Sequence, residues 1–142
     1  MSLYASLALS NVTGMAPGHE RWNERSNDFW HWFKHTQPLH SRGSVVPADT
    51  RGIRTEEQYV AVAREICRNA ARGNPHAQVK VRQRTVGDRW ITDYLIWYHP
   101  PGVPQGLFIV VNDCGKHGEI ETMFTPDDGR AYFDRQEGEY PH

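Results

Sequence analysis

The chain has 142 residues, the size of one ordinary domain, and its formal net charge of −1 does not indicate a nucleic-acid-binding protein as a whole. The charge is uneven, because residues 51–105 hold nine basic against five acidic side chains and residues 106–142 hold three against eight. Such asymmetry is typical of solvated faces, or of a domain that binds an anion on one side and a basic partner elsewhere. Two cysteines far apart in sequence, Cys67 and Cys114, predict neither a disulfide framework nor a metal site.

Residues 1–21 are rich in Ser, Gly, Ala and Pro and predict a flexible leader, a tag remnant or the cut end of a longer chain. Residues 22–142 predict a single domain. The apolar stretch Leu3–Val12 lacks a basic start and is too short to span a bilayer, so no membrane insertion is expected. A first helix is predicted at Trp22–His35, where apolar residues fit one helical face, and Pro38 ends it.

A second helix is predicted after Thr55, because Thr55-Glu56-Glu57-Gln58 has the form of a capping box. Apolar residues then recur at spacings of four, three and four, which places them on one helical face. These residues are Tyr59, Ala63, Ile66 and Ala70. The run Gly73-Asn74-Pro75 is typical of a helix end.

Four strands and a short helix are predicted in the second half of the chain. The strands are Gln78–Thr85, Trp90–His99, Leu107–Asn112 and Glu119–Phe124, and the helix ends at about Gln136. Helices followed by consecutive strands with short turns predict an α+β fold. Its expected form is N-terminal helices, then an antiparallel four-stranded sheet, then a short C-terminal helix.

The last predicted strand contains a hydroxyl among apolar residues. Ile120, Thr122 and Phe124 alternate with Glu121 and Met123, so the three are expected to share one face. A hydroxyl buried on that face needs a hydrogen-bond partner or a chemical task. Thr122 is therefore a candidate site residue.

Three of the eight histidines, His31, His35 and His40, cluster at the end of the first predicted helix and just after it. His31 and His35 are four residues apart and would share a helix face, which is also a zinc spacing, but no third ligand is evident. Two other interpretations stay open. The histidines are surface residues at a helix end, or one of them is a general acid or base.

A basic stripe is predicted on one side of the first strand, formed by Lys80, Arg82 and Arg84. Such residues are typical of a solvated edge strand, where they discourage aggregation. They are also suited to bind phosphate, because arginine offers two parallel donors to phosphate oxygens. A histidine, a row of cations and a threonine together would suit cleavage of a phosphodiester without a metal.

Several short runs, in order from about Asp28 to Gln136, carry a resemblance to a known family. They are His31-Trp32-Phe33-Lys34-His35, Glu57-Gln58-Tyr59 with Ala63-Arg64, Ile120-Glu121-Thr122-Met123-Phe124-Thr125-Pro126, and Gly129 with Tyr132-Phe133 and Gln136. The chain resembles small bacterial and phage ribonuclease domains of the barnase/colicin/RelE-like superfamily. Such domains occur as C-terminal toxins of polymorphic and contact-dependent inhibition systems.

The resemblance implies a metal-independent endoribonuclease without a cofactor, which forms a 2′,3′-cyclic phosphate. Its implied partners are an RNA substrate and a cognate immunity protein, and its implied site of action is the cytoplasm, after secretion or delivery within a larger toxin. The family often has Gly after the histidine where Thr36 stands here, so His40 with Arg42 and Gly43 is the other match. Catalytic candidates are His35, His40, Arg84 and Thr122; substrate-binding candidates are Arg42, Lys80, Arg82 and Gln136.

A different class of function also fits the sequence. The same fold with an inactive site would serve as an RNA- or protein-binding module, or as a phage structural protein. Overexpression of the chain without a partner would distinguish these functions. Growth arrest with degraded RNA would favour the enzyme, and harmless accumulation would favour the alternatives.

Overall fold

The structure is a computed structural model that describes residues 8–15, 53, 55–115 and 117–140. One mixed sheet contains five strands, and helices pack on both of its faces. The first predicted helix, at Trp22–His35, lies outside the described residues. In chain order the elements are β1 Val12–Met15, α1 Glu56–Ala71, β2 Ala77–Val86, β3 Arg89–Tyr98, β4 Leu107–Asp113, β5 Gly118–Phe124 and α2 Arg130–Asp134, and residues 8–10 form a helical turn.

The strand order is β1-β5-β4-β3-β2, and this corrects the predicted fold. Strands β2 to β5 form the expected antiparallel meander. The prediction of a purely antiparallel sheet of four strands is wrong, because β1 adds to β5 in the parallel direction. With only four residues, one of them Gly14, β1 is too short for an alternating pattern to identify it.

The segment that carries β1 lies within the predicted leader 1–21 and contributes to the core. Ala8 and Leu9 are fully buried, and Val12 is nearly so. The contact with β5 is close, because a β-carbon at Gly118 would lie 3.0 Å from the carbonyl oxygen of Ala8 and 2.6 Å from the Val111 side chain. Residues 8–15 are therefore part of the folded unit, and the absence of a side chain at Gly118 lets them approach β5.

Helix α1 begins where the capping box predicts. The Thr55 hydroxyl accepts a hydrogen bond from the Gln58 amide at 3.1 Å, and Glu56 and Glu57 occupy the first turn, where carboxylates complement the helix dipole. The buried residues of the helix are Tyr59, Ala63, Ile66, Cys67 and Ala70. In the described part of the chain, no helix is sufficiently long and apolar to cross a membrane.

The two faces of the sheet carry different residues. The face toward α1 forms the larger core, with Val79, Tyr94, Ile96, Leu107, Ile109, Val111, Ile120 and Met123. The second face carries a smaller apolar cluster beneath α2, made of Leu95, Trp97, Phe108, Val110 and Phe133. Because side chains alternate along a strand, the predicted basic stripe of β2 lies on this second face.

A β-bulge at Glu121 changes which side chains of β5 share a face. Val110 pairs with Thr122, whereas Val111 pairs with Ile120, so Glu121 is an extra residue in β5. Ile120 packs in the larger core, and Thr122, opposite Val110, lies on the second face. The expectation that Ile120 and Thr122 point the same way is therefore wrong, because the bulge interrupts the alternation between them.

Beyond the bulge, a tyrosine of α1 satisfies the backbone of β5. The fully buried hydroxyl of Tyr59 donates a hydrogen bond to the Met123 carbonyl oxygen and accepts one from the Met123 amide at 3.1 Å. The pairing of β1 with β5 extends only to Ile120, so the phenol takes the place of a neighbouring strand at Met123. Burial raises the pKa of Tyr59 despite the hydrogen bond to Met123, which keeps the phenol protonated.

Replacing Tyr59 with Phe is expected to lower the free energy of unfolding by about 1–3 kcal/mol, because a buried N–H and C=O of Met123 lose their partner. Urea unfolding followed by tryptophan fluorescence measures this change. Tyr98→Phe, which removes the hydroxyl of a half-buried tyrosine of β3, is the matched control and should lower the free energy of unfolding less. Equal stability of Tyr59→Phe and the wild type would contradict the role given to this hydroxyl.

Candidate functional site

The second face of the sheet holds a buried carboxylate surrounded by donors. Asp93 of β3 is 0% exposed and accepts hydrogen bonds from three side chains. Arg84 Nε donates to Oδ2 at 2.7 Å, Arg82 donates to the same oxygen at 3.0 Å, and Asn112 Nδ2 donates to Oδ1 at 2.8 Å. A second donor of Arg84 lies 3.4 Å from Oδ1. These four residues are called the Asp93 cluster.

The register of three strands brings the Asp93 cluster together. Arg82 pairs directly with Asp93 across β2 and β3, and Asp93 pairs with Asn112 across β3 and β4. Arg84 is two residues further along β2, so its side chain points to the same face and reaches back to Asp93. The cluster therefore needs no loop to position it and is as rigid as the centre of the sheet.

Electrostatics keep the cluster ionised. Burial opposes ionisation of Asp93, but the hydrogen bonds from Arg84, Arg82 and Asn112 outweigh it and lower the pKa of the carboxyl below its usual value. The hydrogen bond to Asp93 raises the pKa of Arg84, and the charges of Asp93 and Glu121 add to this effect. The cluster thus holds two cations and one anion, and its net charge is positive.

Both guanidinium groups remain partly accessible. The side chain of Arg82 is 26% exposed and that of Arg84 is 38% exposed, whereas the side chain of Asp93 beneath them is fully buried. The Nε atom of Arg82 is buried and has no hydrogen-bond partner among the described residues. Asp93 uses only part of the donor capacity of the two arginines, so an anion at this face could accept hydrogen bonds from the N–H groups that solvent reaches, though not from the buried Arg82 Nε.

Thr122 lies on the same face as the Asp93 cluster, two strands from Asp93. It pairs with Val110, which in turn pairs with Leu95, so it lies level with Lys80 and two residues along the sheet from Asp93 and Asn112. Strands lie about 4.8 Å apart and residues rise about 3.4 Å along a strand, which places the backbone of Thr122 about 12 Å from that of Asp93. Thr122 is half-buried and already has an interaction partner. A ligand of nucleotide size could contact both Thr122 and the arginines.

Lys80, the third residue of the basic stripe, has a different task. It is nearly fully buried, and its ammonium donates to the carbonyl oxygens of Phe133, Asp134 and Gln136 at 2.9, 3.2 and 3.3 Å. It also lies 4.6 Å from the centre of the Phe133 ring. The ammonium has three hydrogens, so these carbonyls use all of them. Lys80 therefore fixes the end of α2 and has no N–H left for a ligand.

The remaining predicted residues divide into two groups. Gln136 follows α2, and its side chain donates to the Tyr132 carbonyl at 3.0 Å, so it supports the same helix end. His35, His40 and Arg42 lie outside the described residues, and their positions relative to the Asp93 cluster stay predictions. The structure thus brings Arg82, Arg84 and Thr122 to one face and assigns Gln136 to the support of α2.

Two polar members of the cluster were not predicted from the sequence. Asp93 stands in the middle of an apolar strand, before Tyr94-Leu95-Ile96-Trp97, and a carboxylate at such a position needs a partner. That signal, together with the arginines on the preceding strand, could have identified the ion pair. Asn112 gives no comparable signal, because it ends a strand, where asparagine is common.

Comparison of the chain with protein-family models, with curated proteins and with solved structures gives no match.

Replacing Asp93 with Asn is expected to lower the free energy of unfolding at pH 7 by about 2–4 kcal/mol, because two arginines lose a buried charge partner. The folded pKa of Asp93 is lowered, so its stabilisation is complete above the unfolded value of about 4 and is lost as the pH falls below it. The difference in free energy of unfolding between the wild type and Asp93→Asn should therefore become smaller below about pH 4. Urea titrations at pH 7 and pH 3 measure both values.

Asp134→Asn is the control for that comparison, since Asp134 forms an exposed pair with Arg130 at 3.4 Å. It should leave the stability unchanged at both pH values. If Asp93→Asn lowers the free energy of unfolding equally at both pH values, the carboxylate charge is not what stabilises the cluster.

Proposed function

We propose that the chain is a metal-independent endoribonuclease whose substrate binds on the second face of the sheet. The observation that carries this proposal is the position of Arg82 and Arg84. Both arginines are partly exposed, are held from below by the buried Asp93, and share a face with Thr122. These are the residues that the resemblance to barnase/colicin/RelE-like ribonucleases marks as site residues, and the sheet register supports their use together.

The Asp93 cluster suits a phosphate because it is preorganised. Arginine side chains lose conformational freedom when they bind a ligand, and the hydrogen bonds to Asp93 remove part of that freedom beforehand. Asp93 neutralises one of the two positive charges, so one positive charge and the outward N–H groups are left for the phosphodiester. A preorganised cation stabilises the negative charge that develops on the phosphorane oxygens.

The proposed reaction uses the substrate's own nucleophile. A histidine accepts the proton of the ribose 2′-hydroxyl, the 2′-oxygen bonds to phosphorus, and the bond from phosphorus to the 5′-oxygen breaks. The leaving 5′-oxygen takes a proton from an acid, and the product is a 2′,3′-cyclic phosphate. His35 or His40 supplies the acid–base group in this proposal, and Thr122, which lies too far from the arginines to share their phosphate, contacts the neighbouring nucleotide of the RNA. A bound hydroxide made by a metal ion is not needed for this attack.

The acidic surroundings limit how RNA can bind. Glu119 pairs with Asn112 next to the cluster, and Glu121 is near enough to affect Arg84. These carboxylates repel a continuous phosphate backbone, so the proposal favours one well-positioned phosphate over a long electrostatic track. RNA affinity should therefore depend weakly on salt compared with that of a basic ribonuclease.

We expect the purified full chain to cleave single-stranded RNA in the presence of EDTA and to release a 2′,3′-cyclic phosphate first. DNA and 2′-O-methyl RNA should resist cleavage, because they lack the attacking hydroxyl. End-labelled oligonucleotides, separated by electrophoresis and checked by mass spectrometry, measure both properties. Cleavage that EDTA abolishes and magnesium restores, or equal cleavage of DNA, would refute this mechanism.

Replacing His35 with Ala should lower the cleavage rate by about 10²–10⁴, the usual contribution of a general acid or base. The same replacement at His40 identifies which of the two histidines acts. If both variants cut RNA at the original rate, neither histidine is catalytic. If the wild type binds RNA with micromolar affinity and does not cut it, the binding-module interpretation replaces the enzyme.

Arg84→Gln should raise KM or lower kcat for RNA by at least about tenfold, because a charge-assisted hydrogen bond to phosphate is lost. Asp93 keeps Arg82 and Asn112 as partners in this variant, so the fold should be retained. Arg130→Gln is the matched control, since Arg130 is an exposed arginine of α2 that contacts Gln78 and Asp134. Equal kinetics of the two variants would exclude Arg84 from the substrate site.

A further inference from the structure

The turn between β4 and β5 brings together three side chains that bind metal ions in other proteins. The ligand atoms of Cys114, His117 and Glu119 all lie within 4.8 Å of one another, and His117 Nε2 is 3.9 Å from a Glu119 carboxylate oxygen. Cys114 is exposed and the other two are half-exposed, so an ion can reach them from solvent. From the sequence, Cys114 was expected to take part in no metal site, and the spacing Cys-x₂-His-x-Glu was overlooked.

Backbone contacts already hold the turn closed. The Cys114 amide donates to the His117 carbonyl oxygen at 2.9 Å, and the Gly115 amide donates to Asp113 Oδ1 at 2.7 Å. The other oxygen of Asp113 accepts a hydrogen bond from the Tyr94 hydroxyl at 3.1 Å. The backbone at Cys114 and His117 is thus fixed before any ion binds, and Glu119 is held in β5 opposite Asn112. This order lowers the entropy cost of binding.

We propose that Cys114, His117 and Glu119 bind one Zn²⁺ ion, with a fourth position open to water. A thiolate, an imidazole and a carboxylate are the three ligand types that zinc accepts, and magnesium and calcium would prefer oxygen ligands alone. Zinc bonds of about 2.0–2.3 Å place tetrahedral ligand atoms roughly 3.3–3.8 Å apart. The three atoms therefore need to approach by about 1 Å, which rotation of exposed side chains allows.

The charge around the turn favours a divalent cation. Asp113 and Glu119 flank Cys114, and the described ion pair at the turn, His117 with Glu119, is long. Zinc binding replaces the thiol proton, which passes to solvent, so the coordinated set becomes a thiolate, a neutral imidazole and a carboxylate. The two ligand charges then balance the charge of the ion.

A zinc ion here would fasten the end of β4 to the start of β5. Glu119 lies opposite Asn112, and Asn112 donates to Asp93. The ion would therefore stabilise the edge of the Asp93 cluster from outside, without touching the arginines. This inference stands independently of the proposed ribonuclease function, because it concerns a different set of residues.

The test uses the reduced full-length chain, stripped of metal with a chelator and then dialysed against Zn²⁺. We expect about one zinc per chain by elemental analysis and a thermal midpoint that rises with zinc concentration. Co²⁺ as a probe should give a thiolate-to-metal charge-transfer band. Cys114→Ser and His117→Gln should each weaken zinc binding by at least about tenfold and remove the rise in thermal midpoint, and Cys114→Ser should also abolish the cobalt band.

His76→Gln and Glu137→Gln are the controls, since both side chains are exposed and lie outside the turn. They should bind zinc as the wild type does. No binding by the wild type at micromolar zinc would overturn the proposal, and so would binding that survives Cys114→Ser. Binding that is lost in His31→Gln or His35→Gln, while Cys114→Ser retains it, would place the metal elsewhere and also overturn it. Circular dichroism of each variant shows that the fold is intact.

Discussion

The buried charge of Asp93 constrains three strands of the sheet at once. A carboxylate that is 0% exposed is tolerated only when charged or polar donors surround it, and here the donors come from β2 and β4 on either side. If β2 slipped by one residue, Arg82 and Arg84 would turn to the face covered by α1, and Asp93 would lose both cations. The ion pair therefore specifies the register on which the rest of the sheet depends.

The β-bulge at Glu121 completes the second face. Without the extra residue, Thr122 would follow Ile120 into the core beneath α1, where its hydroxyl would displace an apolar side chain. With it, Ile120 and Met123 both reach that core although they are three residues apart. One irregularity thus lets β5 serve an apolar core and a polar surface within seven residues.

Local signals predicted the elements that depend on nearby residues. The capping box at Thr55 and the apolar spacing identified α1. Alternating or continuous apolar runs between turns identified the four antiparallel strands close to their observed bounds. The parallel strand β1 could not be predicted, because its partner is distant in sequence and its own pattern is short. The bulge at Glu121 could not be predicted either, because apolar and polar residues alternate through this stretch as they do in a regular strand.

The candidate site was predictable only in part. Alternation placed Lys80, Arg82 and Arg84 on one side of β2, and the structure agrees. It could not show that α2 covers one end of that face and takes Lys80 as its partner, while the other end stays accessible. Which element packs on each part of a strand depends on tertiary contacts. The charge pattern of the strand alone therefore cannot predict it.

The parallel pairing of β1 with β5 has a consequence for the order of folding. The meander from β2 to β5 is built from neighbours in sequence, and such contacts form quickly. During synthesis β1 leaves the ribosome before the meander does, and its partner Gly118–Ile120 is made more than 100 residues later. The apolar side chains of this segment therefore stay exposed until the meander has formed; they are Ala8, Leu9 and Val12. The pairing of β1 with β5 is expected to be the last step in forming the larger core.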